Sequence, residues 1–181
     1  MALMRWFSVL ALVACGTPAA DDSEDSKPVG DPPEAPPIVI NEFLATNEVT
    51  NMDDYDEYDD WLELYNTGEE LVSFPGLYLT DDLEDPTKWP LPGGEGLQPG
   101  DYFLIWCDSD PEQGEAHASF KLGKEAGVLA LYIVADGYDP LRVDGINYSA
   151  QAADLSSARV PDGTDDWRPD QEPSPLASNG Q

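Results

Sequence analysis

Positive charge is what this 181-residue chain has least of: eight Lys plus Arg stand against 37 Asp plus Glu, a formal net charge of -29. Such a surface repels nucleic acid, whose binding needs Lys and Arg to displace counterions, and it repels acidic headgroups in the same way. With two cysteines, at most one disulfide can form, between Cys15 and Cys107. No apolar run is long enough to span a bilayer as a helix. No sustained helical period, fixed-length repeat, glycine-rich phosphate loop, Cys/His zinc set or Gly-x-Ser-x-Gly elbow is present. The only histidine, His117, falls in an expected loop, so Cys107 lacks an evident base and reads as a buried, inert thiol.

Apolar residues still make up 41% of the chain, enough to build a core. The first of them form a short leader, in which Arg5 precedes the apolar run from Trp6 to Ala14 and Cys15 follows it. Leu12-Val13-Ala14-Cys15 resembles the bacterial lipobox, which implies cleavage before Cys15 and its acylation. Two or three acyl chains hold a protein stably, at about 0.8 kcal/mol per buried methylene. The alternative is an ordinary secretory signal with a coincidental cysteine. Residues 16–37 hold six prolines and six acidic residues, the composition of an extended linker reaching about 3 Å per residue. The expected organisation is a signal segment over 1–14, a lipidated Cys15 with a disordered linker over 15–37, and one domain over 38–181. Its expected address is the cell envelope, at the outer membrane or cell surface in a Gram-negative bacterium.

From Ile38 onward, short apolar runs alternate with Gly, Pro, Asn and Asp about every ten residues, which predicts strands and turns. The predicted strands cover 38–44, 61–65, 77–80, 102–107, 120–122, 128–134 and 142–148. Seven or more short strands at this spacing describe an all-β sandwich. In Trp61-Leu62-Glu63-Leu64-Tyr65 the leucines are the expected core face, and Glu63, set between two aromatics, is expected to be partly buried. Trp89 and Trp167 are expected to close the ends of the sandwich, and Arg159, among so many carboxylates, to make a structural ion pair.

Asp53, Asp54, Asp56, Asp59 and Asp60, with Glu57, place six carboxylates in eight positions before a strand. Clustered carboxylates repel unless a cation lies among them, so Ca²⁺ bound there, with Glu42 or Glu63 assisting, is one expectation. The spacing fails the EF-hand pattern, and a solvated acidic loop is the other reading. Tyr55, Tyr58 and Tyr138, in acidic loops, are candidate contacts for a protein or sugar. Glu42 and Glu63 could form a hydrolytic pair only if they converge in an open cleft.

Several segments together resemble a lamin tail domain. They are Ile38-Val39-Ile40-Asn41-Glu42-Phe43, Asp60-Trp61-Leu62-Glu63-Leu64-Tyr65-Asn66 and Gly76-Leu77-Tyr78-Leu79-Thr80-Asp81-Asp82, followed in order by Trp89-Pro90-Leu91-Pro92, Leu97-Gln98-Pro99-Gly100-Asp101-Tyr102, His117 to Leu122, Ser157-Ala158-Arg159-Val160-Pro161-Asp162-Gly163 with Trp167, Ser174-Pro175 and Asn179-Gly180. The resemblance implies an immunoglobulin-like β-sandwich serving exported or surface proteins as a non-enzymatic tethering or interaction module. The expected partners are therefore the membrane, through the lipid, and an envelope or extracellular protein or glycan. A Ca²⁺-dependent adhesion or carbohydrate-binding module is the alternative. Two departures stand out: the unusually acidic loop after Asn41-Glu42, and Ser157-Ala158 where the family more often has an aromatic and Gly before Arg.

Overall fold

The computed structural model describes residues 31–180; Cys15, and residues 15–30 of the expected linker, lie outside them. Among the described residues there is no helix, and hence none long and apolar enough to cross a membrane. Nine strands form: β1 Ile38–Leu44, β2 Trp61–Asn66, β3 Leu77–Thr80, β4 Trp89–Pro90, β5 Tyr102–Trp106, β6 Ala126–Ile133, β7 Leu141–Ser149, β8 Ser156–Arg159 and β9 Trp167–Gln171. They pair antiparallel into a five-stranded sheet, β5-β2-β1-β8-β9, and a four-stranded sheet, β4-β3-β6-β7.

The pleat explains the layers. Ile38, Ile40, Phe43, Leu62, Leu64 and Ile105 from the larger sheet meet Leu77, Leu79, Leu129 and Leu131 from the smaller one in a single core. The phase change within β1 has a local cause. Its register against β2 shifts between Ile40 and Glu42, so one extra residue at Asn41 turns Phe43 inward and Glu42 outward.

Where that bulge breaks the ladder, side chains complete it. The Ile40 amide donates to Asp144 Oδ2 at 2.8 Å, and Arg159 Nε donates to the Ile40 carbonyl at 2.8 Å. Arg159 Nη2 also reaches both Asp144 oxygens, at 2.9 and 3.0 Å, and the guanidinium lies 4.7 Å from the Trp167 ring centroid. Asp144 sits on β7 and Arg159 on β8, so this charge-assisted pair, one nitrogen shared between two oxygens, ties the two sheets together with little exposure to solvent.

Several sequence expectations change here. Phe120–Leu122 is no strand; Phe120 and Leu122 are buried in the core from a loop, with Lys121 between them making an isolated bridge to Asp108. Trp89 and Trp167 do not cap the ends of the sandwich. They open its edge strands, β4 and β9, where Pro90 and Pro169 blunt further pairing. β4, β8 and β9 lack the apolar alternation that marks a strand in sequence, and they form because a neighbouring ladder is available.

Arg159→Met should lower unfolding stability by about 3–5 kcal/mol, because it leaves the buried Asp144 carboxylate without its counter-charge, bonded still to the Ile40 amide, and takes the donor from the Ile40 carbonyl. Urea denaturation of the wild-type chain and the variant checks this.

Candidate functional site

Two groups of buried polar residues stand out, and the strands position both. The first lies on the outer face of the larger sheet. Glu42 on β1 is directly opposite Glu63 on β2, and both are fully buried. The chain after β9 folds over them. Ser156 Oγ donates to Glu42 Oε1 at 2.5 Å, the Ser174 amide to the same oxygen at 3.1 Å, and Ser174 Oγ to Oε2 at 3.2 Å. The Leu176 amide donates to Glu63 Oε2, while Glu63 Oε1 has no partner. Asn179 locks this strap: its side chain donates to the carbonyls of Asn41 and Arg159, and its amide donates to Asp162, which also accepts from Ser178.

Burial raises the Glu42 carboxyl against the hydrogen bonds it accepts. For Glu63, burial and then the adjacent Glu42 charge outweigh the Leu176 amide and push it up to about 8. Glu63 thus holds its proton well above the usual carboxyl range, chiefly because burial disfavours the charged form. The pair converges as a hydrolytic site would require, but under backbone rather than in a cleft. A cavity of about 400 Å³ beside the strap is lined by Ala158, Gln171, Ser174 and Asn179 and by neither glutamate.

The second group spans two loops at one end of the sandwich, 45–60 between β1 and β2 and 107–125 between β5 and β6. The five aspartates do not gather around one point. Asp54 and Asp56 are exposed, and Asp56 occupies a left-handed turn at φ 63°. Asp59 and Asp60 line a smaller cavity with Thr46, Asn47, Tyr58, Cys107, Lys121 and Lys124. Burial lifts the Asp60 carboxyl to about 6 despite the Asn47 amide. Burial and then the Asp108 charge raise Asp59, against Lys121.

Asp53 alone turns inward, with 8% exposure. Its Oδ1 accepts from the amides of Tyr55 and Glu57, both at 2.9 Å, and its Oδ2 is buried without a partner. One set of converging side chains joins Asp53 to Glu57 and Asp59; a second joins it to Asp108 and His117. Sequence reasoning misses Asp108 and His117 as neighbours of this loop, because a parallel bridge from Trp106 to His117 brings them there.

Tyr55 and Tyr58 share the acidic loop and are both exposed, and the Tyr55 hydroxyl donates to the Gln113 carbonyl at 2.8 Å. Tyr138 is half-buried in the β6–β7 turn, at the opposite end of the sandwich, so the three tyrosines form no common surface. Cys107 is a free, buried thiol whose ionisation burial pushes well up, as expected for an inert cysteine.

Two antiparallel sheets packed face to face around one core, with long loops at their ends, define an immunoglobulin-like β-sandwich. Over residues 31–149 the chain matches the family model of the lamin tail domain, and it belongs to that family. Strands β8 and β9 lie beyond the matched span yet complete the larger sheet. No curated protein and no solved structure matches the chain.

The raised carboxyls give an unusual pH response. The folded state holds the Glu63 proton up to about pH 8, while the unfolded chain releases it near 4.5. Stability should therefore fall as pH rises between those values, by on the order of a few kcal/mol, with Asp60 contributing up to about pH 6. Glu63→Gln should remove most of that slope in urea midpoints measured from pH 5 to 8.

Proposed function

We propose that this chain is a lipid-anchored protein of the bacterial cell envelope, whose lamin-tail sandwich is a non-enzymatic interaction module. The domain is held out from the membrane by acylated Cys15 and an extended linker over residues 15–37. The observation that carries the interaction role is the β1–β2 loop: Val49, Met52, Tyr55 and Tyr58 are 70, 47, 53 and 43% exposed within one acidic segment.

Exposed apolar and aromatic side chains on an ordered loop suit protein recognition, because a phenol ring buries much area for little rotamer entropy. The loop is ordered from below. Asp53 caps its tight turn, Asn47 donates to the carbonyls of Asn51 and Asp59, and Asp154 Oδ1 accepts from the amides of Glu48 and Val49. The surrounding negative charge favours a partner that offers Lys or Arg around an apolar patch, and steers its approach. An envelope or extracellular protein fits that description better than a neutral glycan.

Two measurements test this reading. Cys15→Ser should abolish fatty-acid labelling and release the protein from the membrane fraction; labelled, membrane-bound Cys15→Ser would overturn the anchor. The Tyr55→Ala/Tyr58→Ala variant should lose at least tenfold in recovery of envelope or extracellular partner protein from detergent extracts. Equal recovery by wild type and variant would overturn the binding surface.

A further inference from the structure

We propose that Asp53, Asp108 and His117 form a binding site for one first-row divalent metal ion of the zinc type, joining the β1–β2 and β5–β6 loops. One donor atom from each of these side chains lies within 4.8 Å of the other two, and all three residues are buried. A tetrahedral Zn²⁺ shell with bonds near 2.1 Å sets its donors about 3.4 Å apart, a span that lies between the 2.5 Å separating Asp108 Oδ2 from His117 Nδ1 and the 4.8 Å limit within which all three donors fall.

The unsatisfied chemistry of the site points to a cation. Asp53 is more than nine-tenths buried; both amides that bond it go to Oδ1, and its buried Oδ2 has no partner. Asp108 Oδ1 is likewise taken by the Asp110 amide at 2.8 Å, leaving Oδ2 facing His117 Nδ1 at 2.5 Å. Two buried carboxylates thus converge on one imidazole. Among the described residues, no lysine or arginine forms an ion pair with either of them. An orphaned anionic oxygen in so dry a place is costly, and a bound cation offsets that cost directly.

The imidazole is held in place for this role. Tyr55 packs edge-on against it, with ring centroids 6.1 Å apart at 90°, and Gly114 leaves so little room that a Cβ there would sit 3.3 Å from His117 Cδ2. Fixing the far edge of the ring points Nδ1 toward the carboxylates. A nitrogen donor beside two carboxylates selects zinc-like ions over Ca²⁺, which prefers six to eight oxygens. The metal assigned here therefore differs from the Ca²⁺ expected of the acidic loop in both ion and ligands; Asp53 is the one shared residue. Three protein donors leave a fourth position for water or for a side chain from another protein.

The test uses the untagged full chain, freed of metal by chelator and titrated calorimetrically with Zn²⁺, Co²⁺ and Ca²⁺. Zn²⁺ is expected to bind at one equivalent, with a rise in melting temperature, and Co²⁺ to give the intense visible absorption of a tetrahedral site. Ca²⁺ at the same concentration is expected to leave the melting temperature unchanged. Asp53→Asn and His117→Gln should each weaken Zn²⁺ binding at least a hundredfold, and Asp54→Asn should not weaken it. Because the chain has a single histidine, its imidazole NMR signals report the site in the unmutated protein and are expected to shift on adding Zn²⁺. Unshifted imidazole signals at one equivalent, or a Ca²⁺ response as strong as that to Zn²⁺, would overturn the proposal. Full binding by folded Asp53→Asn protein would overturn it as well.

Discussion

The buried contact between Arg159 and Asp144 is the constraint on which the sandwich depends. It crosses from β8 to β7, and it supplies both partners of the Ile40 peptide where the bulge at Asn41 interrupts the β1 ladder. Without the bulge, β1 would keep one phase and Glu42 would face the core. With it, Phe43 enters the core and the glutamate turns to the outer face, beside Glu63. A buried ion pair is weak grounds for net stability, since burying two charges costs nearly what their attraction returns. Here its value is geometric: it lets one strand serve two different patterns at its two ends.

The outer face shows the same logic of burial by cover. Sheets with one solvated face usually set polar groups outward and leave them wet. Here the segment after β9 lies over Glu42 and Glu63 and donates backbone amides to both. A second small cluster, Leu44, Trp61 and Trp106, occupies the same face toward the acidic loop. The larger sheet is thus covered on both sides over much of β1 and β2, while the loops between strands carry the exposed aromatics.

Much of the architecture is legible in the sequence. Alternating apolar residues bounded by turns mark β1 and β3 at their observed limits, and β2, β5, β6 and β7 within two residues of theirs. Ser156-Ser157-Ala158-Arg159 and Trp167-Arg168-Pro169-Asp170-Gln171 carry no such alternation, since their pairing is decided by a neighbouring ladder and by the arginine beneath them. Phe120 and Leu122 have strand-like composition but reach the core from a loop. Glu63 is legible as odd, but its full burial is not, because the strap that buries it lies more than a hundred residues away. The density of carboxylates in the β1–β2 loop is equally plain, but density does not say which of them turns inward. Asp53 alone does so, toward Asp108 and His117, and the contacts that bring those two residues near are formed only by the folded chain.

Among the described residues β1 is also the first strand, and it lies in the middle of its sheet between β2 and β8. Tension transmitted through the residues before Ile38 therefore loads two ladders in shear at once, and the guanidinium bonded to the Ile40 carbonyl shares that load. A domain pulled from an edge strand would instead unzip one bond at a time. Force entering ahead of Ile38 is therefore met by partners on both sides of the strand.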